Sequence, residues 1–458
     1  MLQRAASDGV SGDSERSGAV LSAPASVSKA SALIASVNVF LTLLTALGSV
    51  VAARMLGPSG RGELAAAQAI GGLVATIAAM GLGDAVVFFV ARTPSEAGRF
   101  LASGGITIFL ASAVAVPIGW FVVAHLGLDH RALMATRAYL FLAPVFALGL
   151  PGLMQRGLGN NRSWSLFRLL GPLAWLAALA SAPLFGRSSV RIVVVFLVLQ
   201  VPILLIVWLR IARRGALVKP APRTDAIPML RFGFPLLLST LPALMNLRLD
   251  QLVLATRVSS SELGIYAAAA AWSTLAVPLA SAVGNAVLPV LAGSREGVEQ
   301  DFLDAVLRRS LLLSFVTCGL TAIAAPIGLP LLFGHRFQRA APVAVVLCLA
   351  SVFLCISAVS GEAVRGFGRT REVLLAEVTG ALFGVGSLAL LLPRYGLVGA
   401  GYASCIGYAA TSAVLMRTVA RHRGRGVARL YCPTFGDIAA VAKKSSQLLA
   451  ALTRRFGS

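Results

Sequence analysis

Charge is scarce in this chain of 458 residues. Charged residues make up 13% of it, hydrophobic residues make up 57%, and the mean hydropathy is +0.83. Soluble domains carry about 25% charged residues, so the chain has roughly half the charge that a water-facing surface needs. The composition excludes a soluble enzyme with a single membrane anchor and predicts an all-α integral membrane protein with many spans.

Residues suited to metal, disulfide and nucleotide chemistry are scarce too. The five cysteines form no Cys-x-x-Cys pair, and the four histidines show no metal-ligand spacing. No P-loop is present in the sequence, which argues against direct use of ATP. We therefore expect no metal, no cofactor and no catalytic residue, and we expect the cysteines to be small buried apolar side chains.

Long apolar stretches dominate the chain after a polar N-terminal segment. Residues 1–31 are rich in Ser, Ala and Gly with mixed charges and no apolar core, which predicts a disordered cytoplasmic tail and not a signal peptide. A bilayer is crossed by about 20 apolar residues. The twelve predicted spans are 32–53, 63–91, 101–125, 136–155, 168–185, 191–209, 232–256, 262–291, 309–333, 341–364, 372–392 and 396–416.

Basic residues give the orientation of these spans. The net charge is +22, and arginines lie in short clusters between apolar stretches, which indicates topology and not nucleic-acid binding. With the spans assigned, 29 Lys and Arg fall on the side that holds both termini and 10 on the opposite side. The positive-inside rule predicts cytoplasmic termini, and the Arg-, Ala- and Gly-rich composition is typical of a GC-rich bacterium. We expect a multi-pass protein of the bacterial plasma membrane. Inner and outer refer to this predicted orientation.

The two halves of the chain resemble each other. An Arg-Gly-x-Gly run begins at Arg156, at the inner end of span four, and recurs at Arg365, at the end of span ten. Two six-helix lobes of equal orientation would be related by a pseudo-twofold along the membrane normal, with a substrate path between them. The predicted division is an N-lobe at 32–212, a basic cytoplasmic linker at 213–231, a C-lobe at 232–420 and a basic cytoplasmic tail at 421–458. Within that tail, residues 437–456 fit either an interfacial amphipathic helix or a solvated segment.

Span seven contains a polar cluster of Asn246, Arg248 and Asp250. A charge at the centre of a span costs about 2.5–3.5 kcal/mol on insertion scales, so it is a functional candidate by default. Asn246 and Asp250, four residues apart, share a helix face, whereas Arg248 points elsewhere. Two interpretations stay open. Arg248 contacts an anionic headgroup in a central cavity, or it extends to the outer headgroups while Asp250 binds a neighbouring helix.

Other charged residues lie near the inner ends of spans. Arg156 and Arg365 suit phosphate oxygens because a guanidinium offers a planar pair of donors, and ordinary positive-inside anchoring is the alternative. Asp84, in span two, is a candidate for coupling to H⁺ or Na⁺, or it pairs with a nearby arginine. Glu377 and Glu362 are interpreted as structural, the latter through its i,i+3 spacing to Arg365.

Four motifs in order resemble those of a known transporter family. They are residues 53–64 with their Gly-Pro-Ser-Gly-Arg-Gly-Glu-Leu run, residues 250–252 followed by 262–267, residues 332–334, and residues 395–401. Together they are similar to bacterial polysaccharide and oligosaccharide flippases of the multidrug/oligosaccharidyl-lipid/polysaccharide exporter superfamily. The resemblance implies a V-shaped pair of lobes, alternating access, and a lipid-linked pyrophosphate glycan as substrate. It also implies contact with membrane lipids, drive by an ion gradient or the membrane potential, and glycan polymerases or glycosyltransferases as partners.

Other functions fit the sequence less well. A multidrug antiporter of the same fold binds cationic drugs through carboxylates, and spans one to six offer little besides Asp84. A major-facilitator transporter is disfavoured because the loop after span two lacks a basic Gly-rich run, and a membrane glycosyltransferase or polymerase because no acid/base pair or long outer loop is visible. A non-transporting scaffold of a glycan-synthesis complex stays open.

Overall fold

A computed structural model describes residues 24–213, 225–277, 298–434 and 436–437, and these ranges contain helices and turns but no strand. The first half of the chain forms α1 (Pro24–Ala78), α2 (Leu82–Arg92), α3 (Ala97–Ala124), α4 (His130–Tyr139), α5 (Leu142–Gly157), α6 (Asn161–Ala180), α7 (Ala182–Phe185) and α8 (Ser189–Arg213). The second half forms α9 (Ile227–Arg257), α10 (Ser260–Ser273), α11 (Val298–Phe333), α12 (Ala341–Gly366), α13 (Thr370–Arg423) and α14 (Val427–Tyr431).

Nine helical segments within the described ranges are long and apolar enough to cross a membrane. Two of them, Ser36–Ala78 and Thr370–Arg423, have 43 and 54 residues, about twice the length of one span. Each bends at a glycine with non-helical backbone angles, Gly57 and Gly396. Gly57 falls between the predicted spans one and two, and Gly396 is the first residue of the predicted span twelve. The chain is an all-α integral membrane protein.

Three predicted segments differ from the structure. Residues 54–62, predicted as an outer loop, are helical on both sides of the Gly57 bend. Span two is not continuous, because the backbone of Met80 and Gly81 has positive φ and α2 begins afresh at Leu82. Gly81 lies so close to α9 that a Cβ there would overlap the carbonyl oxygen of Gly233. Span four is divided into α4 and α5 at residues 140–141.

Several predicted boundaries fall partly outside the described residues. Of the predicted tail, residues 1–23 lie outside them, and 24–31 form the start of α1. Of the linker, residues 214–224 lie outside, and Asp225 and Met229 are buried. The second part of span eight, residues 278–291, and the predicted amphipathic segment from residue 438 onwards also lie outside.

The first turns of α9 pack against the N-terminal half of the chain. Met229 is fully buried in a cluster with Leu82, Leu101 and Leu150. Farther along α9, Leu254 belongs to another cluster, which combines α1, α10, α11, α12 and α13. Helix α9 thus runs from the core of one half into the contact between the two halves.

Candidate functional site

A cavity of about 770 Å³ lies between the two halves of the chain. Its walls come from α1, α4, α6 and α8 of the first half and from α9, α10, α12 and α13 of the second. Its charged lining residues, within the described ranges, are Arg61, Arg168, Arg248 and Asp250. The cavity therefore carries an excess of positive charge.

Arg248 reaches this cavity from α9, a helix that contains Pro235 and Pro242. The exposed side chain donates a hydrogen bond from Nη1 to Gln251 Oε1 at 3.3 Å. Arg248 lies nine residues before Arg257, the last residue of α9, which places it about 13 Å along the axis from the outer end of the helix. Arg248 thus lines the cavity, and its contact with an anionic headgroup stays a prediction.

Arg61 is a cavity residue that the sequence interpretation placed in an outer loop. The bend at Gly57 turns the chain back into a helix, and Arg61 lies one turn after it on the side facing the cavity. Its side chain is only 9% exposed, and Nη2 donates to Ser49 Oγ at 3.2 Å. Its Nε is buried with no acceptor among the described residues. A guanidinium at this depth can donate to an anionic ligand in the cavity.

Arg168 is a second cavity arginine that the sequence interpretation missed, because it was counted among the topology-setting basic residues. Its guanidinium lies over the Trp164 ring at 4.8 Å from the centroid, and the Arg156 guanidinium lies over the same ring at 4.9 Å. One indole thus holds two cations near the inner end of α6. Arg168 lines the cavity, whereas Arg156 is exposed and does not.

Arg156 and Arg365, the predicted phosphate-capturing arginines, lie in the last turns of α5 and α12. Arg365 donates from Nη1 to Glu362 Oε1 at 2.6 Å, the ion pair that their spacing predicts. Neither arginine belongs to the cavity lining. Their role in capturing a phosphate at the inner surface stays a prediction.

Asp250 lines the cavity, yet it is buried and well supplied with hydrogen-bond donors. The Tyr266 hydroxyl donates to Oδ2 at 2.5 Å, the Ser404 hydroxyl to the same oxygen at 3.2 Å, and the Gln251 N–H to Oδ1 at 2.7 Å. These donors compensate a buried carboxylate for lost hydration. These hydrogen bonds join α9 to α10 and α13. Because the hydrogen bonds occupy the oxygens of Asp250, the arginines dominate the charge of the cavity.

Asn246 joins a second polar cluster, one turn of α9 before Asp250. Its amide Nδ2 donates to Glu377 Oε2 at 3.2 Å and to Thr411 Oγ1 at 3.0 Å, both on α13. The carboxylate of Glu377 is half-buried. The sequence interpretation took Glu377 as structural, although a carboxylate within a span is a signal of function.

Asp84 occupies a different environment. It is exposed in the first turn of α2, where a negative charge is favourable at the positive end of the helix dipole. No ion pair joins it to Arg92 within the described ranges, and the Arg92 guanidinium lies 4.5 Å from the centroid of the Phe88 ring. Among those ranges, no group of three or more His, Cys, Asp or Glu side chains is arranged to hold a metal.

The two halves also touch on the outer side of the cavity. Arg54 donates to the backbone carbonyl oxygens of Leu332 and Leu331, at 2.6 and 2.5 Å. Asp129 Oδ2 accepts hydrogen bonds from the backbone N–H and hydroxyl of Ser260, at 3.2 and 2.7 Å. These contacts tie the outer ends of α1 and α4 to those of α11 and α10.

Comparison with known proteins gives a family and a fold. Residues 27–294 match the family described as "Polysaccharide biosynthesis protein". The solved structure of the lipid II flippase MurJ in an inward closed conformation aligns with a TM-score of 0.72 at 15% identity, over 87% of this chain and 89% of that one. An inward-facing multidrug resistance MATE family transporter of the MOP superfamily aligns with a TM-score of 0.67 at 16% identity, over 84% and 94%. The MATE multidrug transporter DinF-BH aligns with a TM-score of 0.60 at 14% identity, over 86% and 96%. A search of curated proteins finds no significant match.

Proposed function

Because the chain belongs to the polysaccharide biosynthesis protein family and is a membrane transporter with the fold of the MOP superfamily, we propose that it is a flippase. It moves a lipid-linked oligosaccharide or polysaccharide precursor from the cytoplasmic to the outer leaflet of the bacterial plasma membrane. The mechanism is alternating access between two lobes, with both termini in the cytoplasm. Glycosyltransferases supply the precursor, and a glycan polymerase receives it.

The observation that carries this proposal is the charge of the central cavity. Three arginines line it, and its one carboxylate within the described ranges, on Asp250, already accepts three hydrogen bonds. A pyrophosphate group is favoured in such a cavity because charge-assisted, planar pairs of N–H donors match its oxygens. A cationic substrate is repelled.

The three arginines lie at different depths. Arg168 comes seven residues after the start of α6, on the inner side, whereas Arg61 lies one turn from the outer bend at Gly57. Arg248 lies between these levels in α9. A phosphate-bearing headgroup can pass from one guanidinium to the next while the sugars stay hydrated and the lipid tail stays in the bilayer.

A carboxylate can bind a coupling ion, H⁺ or Na⁺, and two carboxylates are candidates. Asp84 is the one that the sequence predicts. Glu377 is the one that the geometry favours, because the amide of Asn246 and the hydroxyl of Thr411 lie beside it within the membrane. Binding of a cation there would connect α9 to α13, and so would influence the helix that carries Arg248.

A cation-coupled multidrug antiporter is the second candidate, supported by the fold shared with the MATE transporters. The arginine-lined cavity argues against it. A non-transporting scaffold of a glycan-synthesis complex is the third. Replacement of one cavity arginine separates all three, because each predicts a different result.

The test uses cells that depend on this protein for surface polysaccharide. We expect Arg248→Ala to lower surface polysaccharide at least tenfold and to accumulate lipid-linked precursor, with an unchanged amount of protein in the membrane. Arg257→Ala is the matched control, since Arg257 is exposed at the outer end of the same helix. Normal surface polysaccharide in the Arg248 variant would favour the scaffold. Lost resistance to cationic dyes with normal polysaccharide would favour the antiporter.

A further inference from the structure

A second large cavity is a groove on the outside of the N-terminal half, away from the central cavity. It has a volume of about 760 Å³. One wall is a single face of α3 over four turns, and the other is formed where α4 meets α5. The lining residues are Phe109, Ser112, Ala113, Val116, Pro117, Trp120, Phe121, Ala124, Arg137, Phe141 and Pro144.

The groove is open to the lipid side of the protein. Phe109 and Phe121 are 60% and 68% exposed, and Phe141 is 48% exposed. The second wall contains the helix break at residues 140–141, and each wall contains a proline, Pro117 on α3 and Pro144 on α5. Apolar side chains that face a bilayer without a helix partner are covered by lipid chains.

One end of the groove carries a positive charge. The Arg137 guanidinium lies over the Trp120 ring, 4.9 Å from the centroid, and Trp120 packs edge-on against Phe141 with centroids 6.3 Å apart. Arg137 Nε is buried and has no hydrogen-bond acceptor among the described residues. The lining contains no carboxylate. The Arg137 side chain as a whole is half-buried, so an anionic group from outside the chain would bind its terminal Nη donors.

The length of the groove matches one lipid chain. From Trp120 to Phe109 the helix α3 advances eleven residues, or about 16 Å, and one leaflet of hydrocarbon is about 15 Å thick. Trp120 lies one turn before the outer end of α3, and the Arg137 guanidinium lies over its ring at the same depth, where arginine and tryptophan suit the headgroup region. We propose that this groove binds an anionic phospholipid of the outer leaflet, with its phosphate at Arg137 and one acyl chain along α3.

Fluorescence quenching by brominated lipids tests this site. The protein is reconstituted in phosphatidylcholine vesicles that contain increasing fractions of brominated phosphatidylglycerol or brominated phosphatidylcholine. The signal of Trp120 is isolated by subtracting that of the Trp120→Phe variant. We expect half-maximal quenching at a fraction of phosphatidylglycerol at least threefold lower than that of phosphatidylcholine. Equal quenching by the two lipids would overturn the proposal.

Variants of the charge and of the groove complete the test. Arg137→Gln is expected to abolish the preference for phosphatidylglycerol, whereas Arg137→Lys and the exposed Arg131→Gln should retain it. Ala113→Phe fills the groove and should lower the quenching of Trp120 by both lipids. Val114→Phe, a lipid-facing neighbour outside the groove, should not. A preference that survives Arg137→Gln, or quenching that survives Ala113→Phe, would overturn the proposal.

Discussion

Gly62 of α1 and Gly264 of α10 hold the two halves of the chain in backbone contact. A Cβ on Gly62 would overlap the carbonyl oxygen of Ser260, and a Cβ on Gly264 would overlap that of Pro58. Small residues allow helices in a bilayer to approach this closely and to gain van der Waals contact. The contact lies on the outer side of the central cavity, near the Arg54 and Asp129 bonds, and helps to close that side.

We predict that Gly62→Ala separates these helices. The added methyl group has no space, and such overpacking costs about 1–3 kcal/mol. The thermal midpoint of the purified protein should fall by several degrees, and a cysteine introduced at Ser49, in the cavity lining, should become accessible to an impermeant maleimide from outside. Gly72→Ala is the control, because a Cβ on Gly72, in the same helix, meets nothing within 4 Å. Equal midpoints for the two variants would contradict the prediction.

The sequence was sufficient for the all-α membrane class and for identifying Arg248 as a charge within a span. A charge in the middle of an apolar stretch is visible without any structure. Arg61 was not visible in this way, because it follows a Gly-Pro turn and resembles a loop residue. Arg168 was not visible either, because basic residues are common at the inner ends of membrane helices. Whether such residues face the cavity depends on contacts between halves some 200 residues apart, which no local pattern encodes.

The helix break at Met80 and Gly81 also depends on a contact between residues far apart in the sequence. The sequence from 63 to 91 is mostly apolar and predicts one span. At the break, Gly81 closely approaches Gly233 of α9, and the rings of Phe88 and Phe232 stack beside it with centroids 4.2 Å apart. The contact between Gly81 and Gly233, and not the local sequence, shows that α1 ends and α2 begins here.

We predict that Arg61→Gln impairs transport as strongly as loss of Arg248. A charged hydrogen bond is worth about 1.5–3 kcal/mol, so surface polysaccharide should fall at least tenfold in the dependent cells. Arg394→Gln is the matched control, since Arg394 is an exposed arginine beside the corresponding bend at Gly396 in α13. If both variants export normally, the outer part of the cavity does not bind the headgroup.

We predict that Glu377→Gln uncouples transport from the ion gradient. The amide keeps the size of the side chain but removes the charge that a cation would bind. Gradient-driven transport into vesicles should fall at least tenfold, while exchange without a gradient persists. Glu372→Gln is the control, because Glu372 forms an exposed ion pair with Arg369 at 3.0 Å. Asp84→Asn should retain coupling, and the reverse result for these two variants would assign the role to Asp84.

We predict that Asp225→Asn detaches the start of α9 from α3. Asp225 is 3% exposed and accepts two hydrogen bonds from Arg99, at 2.7 and 2.8 Å, and one from the Ser103 hydroxyl at 3.2 Å. Breaking a buried pair costs about 3–5 kcal/mol, and we expect about 2 kcal/mol here because Arg99 is partly exposed.

Thermal unfolding of Asp225→Asn, Arg99→Gln and the double variant measures their coupling. Glu96→Gln, which removes only the exposed partner 3.5 Å from Arg99, should change stability by less than about 0.5 kcal/mol. Additive effects of the two single variants would show that this ion pair does not anchor α9.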